Sequence, residues 1–304
     1  MFDIIGKRFW YFLISGIIIL IGIISLATAG LPAGIEFSSG SILNVSFEEE
    51  VDYEQFKQGL IDMGYTDAIV QRTAGGDFLI RTHELTDEEK AQIESTLSEQ
   101  FGQLSEAQFT SVSPQVASET VSNAAIAVAI AAIGILLYVT WAFRRMPKPF
   151  HYGTCAIVAL VHDAVIAMGI FSILGAFLGW EINIMFITGL LAVIGYSVNN
   201  TVVIFDRIRE NLIKGIGRDF ESTVNSSLVE TLSRSVNTSL TTLVVVLALL
   251  LFVGATIQNF VVVLIIGIIA GTFSSVFIAP SLLVVWDRKE WGRFIPWRRP
   301  SGSK

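Results

Sequence analysis

Cysteine is nearly absent from this chain. The sole thiol, Cys155, excludes an intramolecular disulfide framework and a cysteine metal site, and its apolar neighbours mark it as buried and inert. Histidine is scarce as well, and His83, His151 and His162 lack metal-ligand spacing. The sequence holds no nucleotide-binding glycine loop, no HExxH pair and no GxSxG nucleophile. ATP-driven transport by this chain alone is therefore unsupported, and no catalytic residue, metal or cofactor is expected. Charge is the third shortage: 15% of the 304 residues are charged, against 52% hydrophobic, with a mean hydropathy of +0.64. An ordinary soluble domain is excluded, and a membrane protein is indicated.

What is present is a series of long apolar runs. Six meet the length needed to span a bilayer: approximately 9–29, 124–143, 152–178, 182–205, 235–253 and 260–286. The runs are continuous rather than alternating, so helices are the expected spanning form. The first follows Lys7 and Arg8 and ends in Ala27-Thr28-Ala29, which has the form of a signal-peptidase site. Its length exceeds a signal core of roughly 7–15 residues, so an uncleaved first helix, 1–30, is expected.

The small charge is sorted by region. Residues 31–119 carry 17 acidic and 4 basic side chains, a net of −13, and the rest carries 10 and 16, a net of +6. Basic clusters (Lys7 and Arg8; Arg144, Arg145 and Lys148; Arg207 to Arg234; Arg288 to Lys304) fall on one side of a six-span chain. That side is expected to be cytoplasmic, with both termini there. The expected organisation is an extracytoplasmic domain 31–120, five spans in 121–290 with a cytoplasmic segment 206–234, and a basic cytoplasmic tail 291–304.

Within 31–120, "SILNVSF" (41–47) alternates as a strand. Residues 52–64 place Phe56, Leu60 and Met63 at helical spacing. Residues 68–73 and 77–85 read as a hairpin around Ala74-Gly75-Gly76. Residues 86–102 open with a Thr86/Glu89 capping box and close at Gly102, and 107–114 is a last strand. The order βαββαβ predicts a ferredoxin-like α/β sandwich. In the segment 206–234, Asp219 or Ser222 is expected to start a helix along the membrane surface. Asn225, Ser226, Ser227 and Thr231 argue against its burial in lipid.

Ionisable residues inside the spans are few, and each is costly in lipid unless paired. Asp163 lies about 12 residues into the third run, near mid-depth. It reads either as a proton or cation carrier or as a structural acid bonded to another helix. His162 precedes it and points roughly 100° away around the helix. Asn199 and Asn200 sit roughly 10 Å inside the boundary marked by Arg207. Taken alone they read as interhelical amide glue. Arg234 opens the fifth run, followed on one face by Asn237 or Thr238 and by Thr241. It reads either as a snorkelling arginine or as a positive partner for the fourth span. Asp206 and Arg209 form an i,i+3 pair. Glycines at 134, 153, 169, 175, 189, 195, 267 and 271 allow close helix contacts, with Gly267 and Gly271 at small-xxx-small spacing.

The sequences "GYSVNNTVVIFDRIREN" (195–211) and "TLSRSVNTSLTTL" (231–243) resemble the SecF family of protein-export membrane proteins, within the RND superfamily. The family carries GYS-x-ND-[ST]…DRIREN in its fourth helix and an arginine at the head of its fifth. "GIEFSSG" (34–40), "VHDAVIAMGIF" (161–171) and "GTFSSVFIAPSLLVVW" (271–286) extend the resemblance over essentially the whole chain. It implies a non-enzymatic, six-helix subunit that pairs with SecD through spans four to six. With SecYEG, often with YajC and after SecA, it assists ion-gradient-linked preprotein export. The other reading is half of an RND-type exporter of small molecules or lipids. No nucleic acid is implied. The resemblance also assigns the ion-coupling carboxylate to position 200, where this chain has Asn200, and its arginine partner to Arg234. An asparagine mimics a protonated aspartate. An engineered trap, natural loss of coupling, and transfer of the work to Asp163 or to SecD all remain open. In the external element Gly34, Glu36 and Gly40, Glu36 replaces the family's aspartate and Ser39 a glycine.

Overall fold

The computed structural model describes residues 3–72 and 76–294, without the side chains of 105–107, 255–256 and 293–294. The centre of the expected hairpin turn and most of the basic tail, including Arg298, Arg299 and Lys304, lie outside the described residues. In chain order the elements are α1 (Arg8–Thr28), α2 (Ile35–Ser38), β1 (Gly40–Phe47), α3 (Tyr53–Asp62), β2 (Ile69–Arg72), β3 (Phe78–Thr82), α4 (Asp87–Phe101), β4 (Leu104–Val112), α5 (Pro114–Ala142), α6 (Pro149–Leu178), α7 (Ile184–Ile213), α8 (Phe220–Leu250), α9 (Ala255–Phe273) and α10 (Ala279–Arg288). A π-helical stretch, Ser274–Ile278, joins α9 to α10. The chain divides into two compact units, Ala33–Ala125 and Met1–Pro32 with Ile126–Lys304.

In the unit Ala33–Ala125, period-two alternation puts Leu43 and Val45 of β1 and Phe78 and Ile80 of β3 on one buried face. The four strands pair antiparallel in the order β2-β3-β1-β4, with Leu43 opposite Ile80 on one side and Phe109 on the other. Helices α3 and α4 cover that face with Phe56, Leu60, Ile93 and Leu97. Phe56 stacks on Phe78 at 4.1 Å between ring centroids. Each such ring contributes about 1.5–3 kcal/mol by leaving water. The helix ends follow from local chemistry. Asp52 accepts the backbone N–H groups of Glu54 and Gln55, and Thr86 and Glu89 close the expected capping box. The Thr86 bonds hold the Glu89 carboxyl below its ordinary value.

Six helices are long and apolar enough to cross a membrane: Ile5–Thr28, Pro114–Ala142, Pro149–Leu178, Ile184–Ile213, Phe220–Leu250 and Ile257–Arg288. Their outward faces carry large apolar residues, among them Leu13, Ile17, Ile130 and Leu137. That distribution is wrong for water and right for lipid. The chain is a multi-pass membrane protein.

Residues 206–234 hold the end of α7, a short turn and the first half of α8, so the segment is helical as expected. Helix α7 runs on to Ile213 and α8 begins at Phe220, so both spans project past the apolar runs that define them. Asp219 is the N-cap of α8 and Ser222 its capping-box partner, with Ser222 N–H donating to Asp219 at 3.0 Å. The polar residues that argued against burial are packed against protein. Ser226, Ser227 and Thr231 are buried, and Asn225 accepts the N–H groups of Ile4 and Ile5 at 2.8 and 3.1 Å. Polarity at these positions serves contacts with neighbouring segments.

Small residues set the helix approaches. Gly22 of α1 meets Gly169 of α6 backbone to backbone, and Gly267 and Gly271 of α9 lie against Val193 and Ser197 of α7. The small-xxx-small pair thus docks α9 on α7 within this chain. Gly134 and Gly195 face open space instead.

Candidate functional site

Asp163 sits on α6 with 1% of its surface exposed, the one buried carboxylate among the described residues. Three side chains converge on it. Ser197 of α7 donates to Oδ2 at 2.5 Å, and Ser274 of the π-helical stretch donates to the same oxygen at 2.8 Å. His162 Nδ1 lies 2.8 Å from Oδ1, and its Nε2 lies 2.5 Å from Ser15 Oγ on α1. The expectation that His162 points away is corrected. The two Cα–Cβ directions diverge, but the imidazole is long enough to reach back to its neighbour. The resulting chain, Ser15–His162–Asp163–Ser197/Ser274, ties four segments together at one depth. An imidazole and a carboxylate in contact can exchange a proton, and serine hydroxyls can reverse their donor sense as they do so.

Sequence reasoning found Asp163 but missed Ser15, Ser197 and Ser274. A signal was available for Ser274. Two serines side by side in an apolar span, ahead of Pro280, mark a local break of the α-helical ladder. No signal links Ser15 to His162 across 147 residues of sequence.

A second polar seam runs between α7 and α8. Tyr196 donates to Ser239 Oγ at 2.9 Å, and Thr272 Oγ1 of α9 lies 2.7 Å from the same atom. The helices are antiparallel, so one turn further along Asn200 comes level with Ser235. Both are buried, and both have an atom without a hydrogen-bond partner, Asn200 Nδ2 and Ser235 Oγ. Asn199 points outward. Among the described residues neither asparagine makes an interhelical bond: Asn199 is exposed, and the Asn200 amide nitrogen is buried without a partner.

Arg234 does not meet Asn200. It lies on the exposed face of α8, with Asn237 and Thr241 on the same outward side and no ion pair among the described residues. Thr241 satisfies its own hydroxyl through the carbonyls of Asn237 and Thr238. Between Ile184 and Ile213, which are exposed at its two ends, the exposed line of α7 is small and polar: Thr188, Ala192, Gly195, Asn199 and Asp206. Asp206 pairs with Arg209 at 2.7 Å, as the i,i+3 spacing implied. Spans four and five therefore expose polar groups among apolar ones such as Ile184, Val236, Leu240 and Val244.

Beyond this seam, α7 and α8 are clamped by charge. Arg207 bonds Glu230 and Glu210, each at 2.5 Å, and Asn211 donates to Ser227 and Glu230. Arg8, only 4% exposed, is held by Glu221 at 2.8 Å and Glu290 at 2.6 Å. As a flanking charge it looked like an orientation signal alone. Its second role needs Glu290, 282 residues away, and has no local signature.

In the other unit, Gly34 caps the short helix α2, and Glu36 is half-buried. Arg81 pins this element by donating to the Ala33 carbonyl at 2.7 Å and Ser38 Oγ at 2.8 Å. Gly40 has φ +124°, and a Cβ there would run into the Thr82 carbonyl. Ser39 has φ +63° with ψ 168°, a conformation open almost only to glycine.

Residues 92–289 match the family model described as protein export membrane protein SecD/SecF, C-terminal. The chain is 43% identical to a protein translocase subunit SecF of Thermobaculum terrenum, over 100% of this chain and 99% of that one. It is 34% identical to the protein translocase subunit SecDF of Bacillus subtilis, covering 95% of this chain and 38% of the longer one. A crystal structure of SecDF from a Thermus species, titled a translocon-associated membrane protein, superposes with a TM-score of 0.81 at 31% identity. It covers 94% of this chain and 39% of that one, so this chain spans about two fifths of the SecDF chains it matches.

Proposed function

The chain belongs to the SecD/SecF protein-export family and serves protein translocation as a SecF-type subunit; from that premise we propose that it works as a non-enzymatic partner of SecD, coupling an ion gradient to preprotein export beside the SecYEG channel. The observation that carries the pairing is the set of exposed polar side chains on α7 and α8, Asn199, Asn237 and Thr241 within the apolar runs and Arg234 at the head of the fifth, set among apolar residues such as Val236 and Leu240. Such groups are stable against a protein surface and costly against acyl chains. This chain matches 38% and 39% of two longer SecDF relatives, and the proposed occupant of this face is the SecD part of such chains. The proposed contact uses spans four and five more than span six.

Both termini and the basic clusters face the cytoplasm in this proposal, with the acidic unit Ala33–Ala125 outside. Its βαββαβ order and 2-3-1-4 sheet support the ferredoxin-like reading. SecA acts upstream, and YajC joins the assembly. Asn200 cannot carry a proton at physiological pH, so the titratable work falls to the Asp163–His162 pair or to SecD.

Two experiments test this reading. Solubilisation in mild detergent followed by affinity capture is expected to recover SecD, and recovery of this chain alone would refute the pairing. Asn200→Asp is expected to increase export that depends on an imposed gradient. Equal rates with and without the substitution, under both proton and sodium gradients, would remove position 200 from the coupling path.

A further inference from the structure

We propose that the α5–α6 connection and the distal part of α7 form a binding site for the phosphate headgroup of an anionic glycerophospholipid. The proposal rests on the membrane assignment and not on the export reading. A cavity of about 430 Å³ is lined by Ala142, Arg144, Arg145, Met146, Arg209 and Ile213. That size suits a small ligand group. Three guanidiniums border it from two elements. Arg209 is partly neutralised by Asp206 at 2.7 Å, and Glu210 is taken up by Arg207 and Lys214. Arg145 has no ion pair among the described residues. The site therefore keeps a net positive charge with donors to spare.

Two of the three guanidiniums are already positioned. Arg144 lies over the Trp141 ring at 4.5 Å and donates to the Trp141 carbonyl at 3.2 Å. Arg209 lies 6.0 Å from the Phe143 ring centroid. Preorganised planar guanidiniums match the oxygens of a phosphodiester better than lysines do.

The surroundings point to a lipid rather than a soluble anion. Beside the cavity Ile213 is 76% exposed, and Leu137, Tyr138 and Trp141 stand outward on α5. Tyrosine and tryptophan at a span end mark the headgroup level, and Leu137 continues the apolar wall along which acyl chains would lie. A soluble phosphate would use the arginines and leave that wall without purpose.

The test is native mass spectrometry of the full chain in detergent, with dioleoyl-phosphatidylglycerol and dioleoyl-phosphatidylcholine offered at equal concentration. Phosphatidylglycerol is expected to be retained about tenfold better. Arg144→Gln with Arg145→Gln is expected to abolish that preference, while Lys57→Gln in the other unit leaves it intact. Should the double variant not stay folded, Arg145→Gln alone is expected to lower retention severalfold. Equal retention of the two lipids by the unmodified chain overturns the proposal, as does an undiminished preference in a folded arginine variant. Displacement of phosphatidylglycerol by millimolar glycerol 3-phosphate also overturns it, since the ligand would then be a soluble anion.

Discussion

Two buried polar clusters meet α7 one turn apart, through Ser197 and Asn200, and they are finished to different degrees. Around Asp163 each carboxylate oxygen has a partner: His162 beside it on α6, itself held by Ser15 of α1, and the serines of α7 and the π-helical stretch. Around Asn200 an amide nitrogen and the Ser235 hydroxyl are buried with nothing to bond. A satisfied network in low dielectric rigidifies what it joins, whereas an orphaned donor costs about 1–3 kcal/mol. The first cluster is thus part of what holds the helices together. The second is a place where stability has been given up.

That contrast can be broken by substitution. The largest effect is expected from Asp163→Ala, which strands Ser197, Ser274 and His162 at once. The loss should be about 3 kcal/mol or more, read as a fall in the temperature at which the detergent-solubilised chain leaves its monodisperse elution peak. Ser274→Ala removes one of three donors and should cost about 1–3 kcal/mol in the same assay. Gly267→Val tests the docking that brings Ser197 to Asp163. Its added carbons run into Val193, and a loss of about 1–3 kcal/mol is expected. Asn200→Leu is the smallest, a change within about 1 kcal/mol or a slight gain, because the amide it removes was never satisfied. A large loss from Asn200→Leu, comparable with Asp163→Ala, would erase the distinction between the clusters.

Much of this architecture was legible before any coordinates. Apolar run length located all six spans, and alternation with capping chemistry located the strands and helices of the acidic unit to within a few residues. Helices α7 and α8 extend past the apolar runs because their polar ends pack against protein. Ser227 and Asn211 are polar because they bond each other, at 3.0 Å. Asp163 was singled out by its charge alone, but its serine partners lie 34 and 111 residues away, where no periodicity points. The pairing of Asn200 with Arg234 came from resemblance, and within this chain one turns inward and the other outward. Ser39 was noted as a departure, and only its backbone angles explain why a glycine is preferred there.

The stretch Ser274–Ile278 has a consequence that belongs to phase rather than to bonding. An α-helix turns roughly 100° per residue, so one surplus residue leaves everything beyond it rotated by about that angle. The last span is in effect two helices sharing an axis but not a clock. Its first part aims Gly267 and Gly271 at α7, and its second aims Leu282 to Val285 into the core. Substitution at Ser275 leaves that offset alone. Deleting Ser275 would cancel it, so that only one half could face its partners while the other turned its packing surface toward lipid.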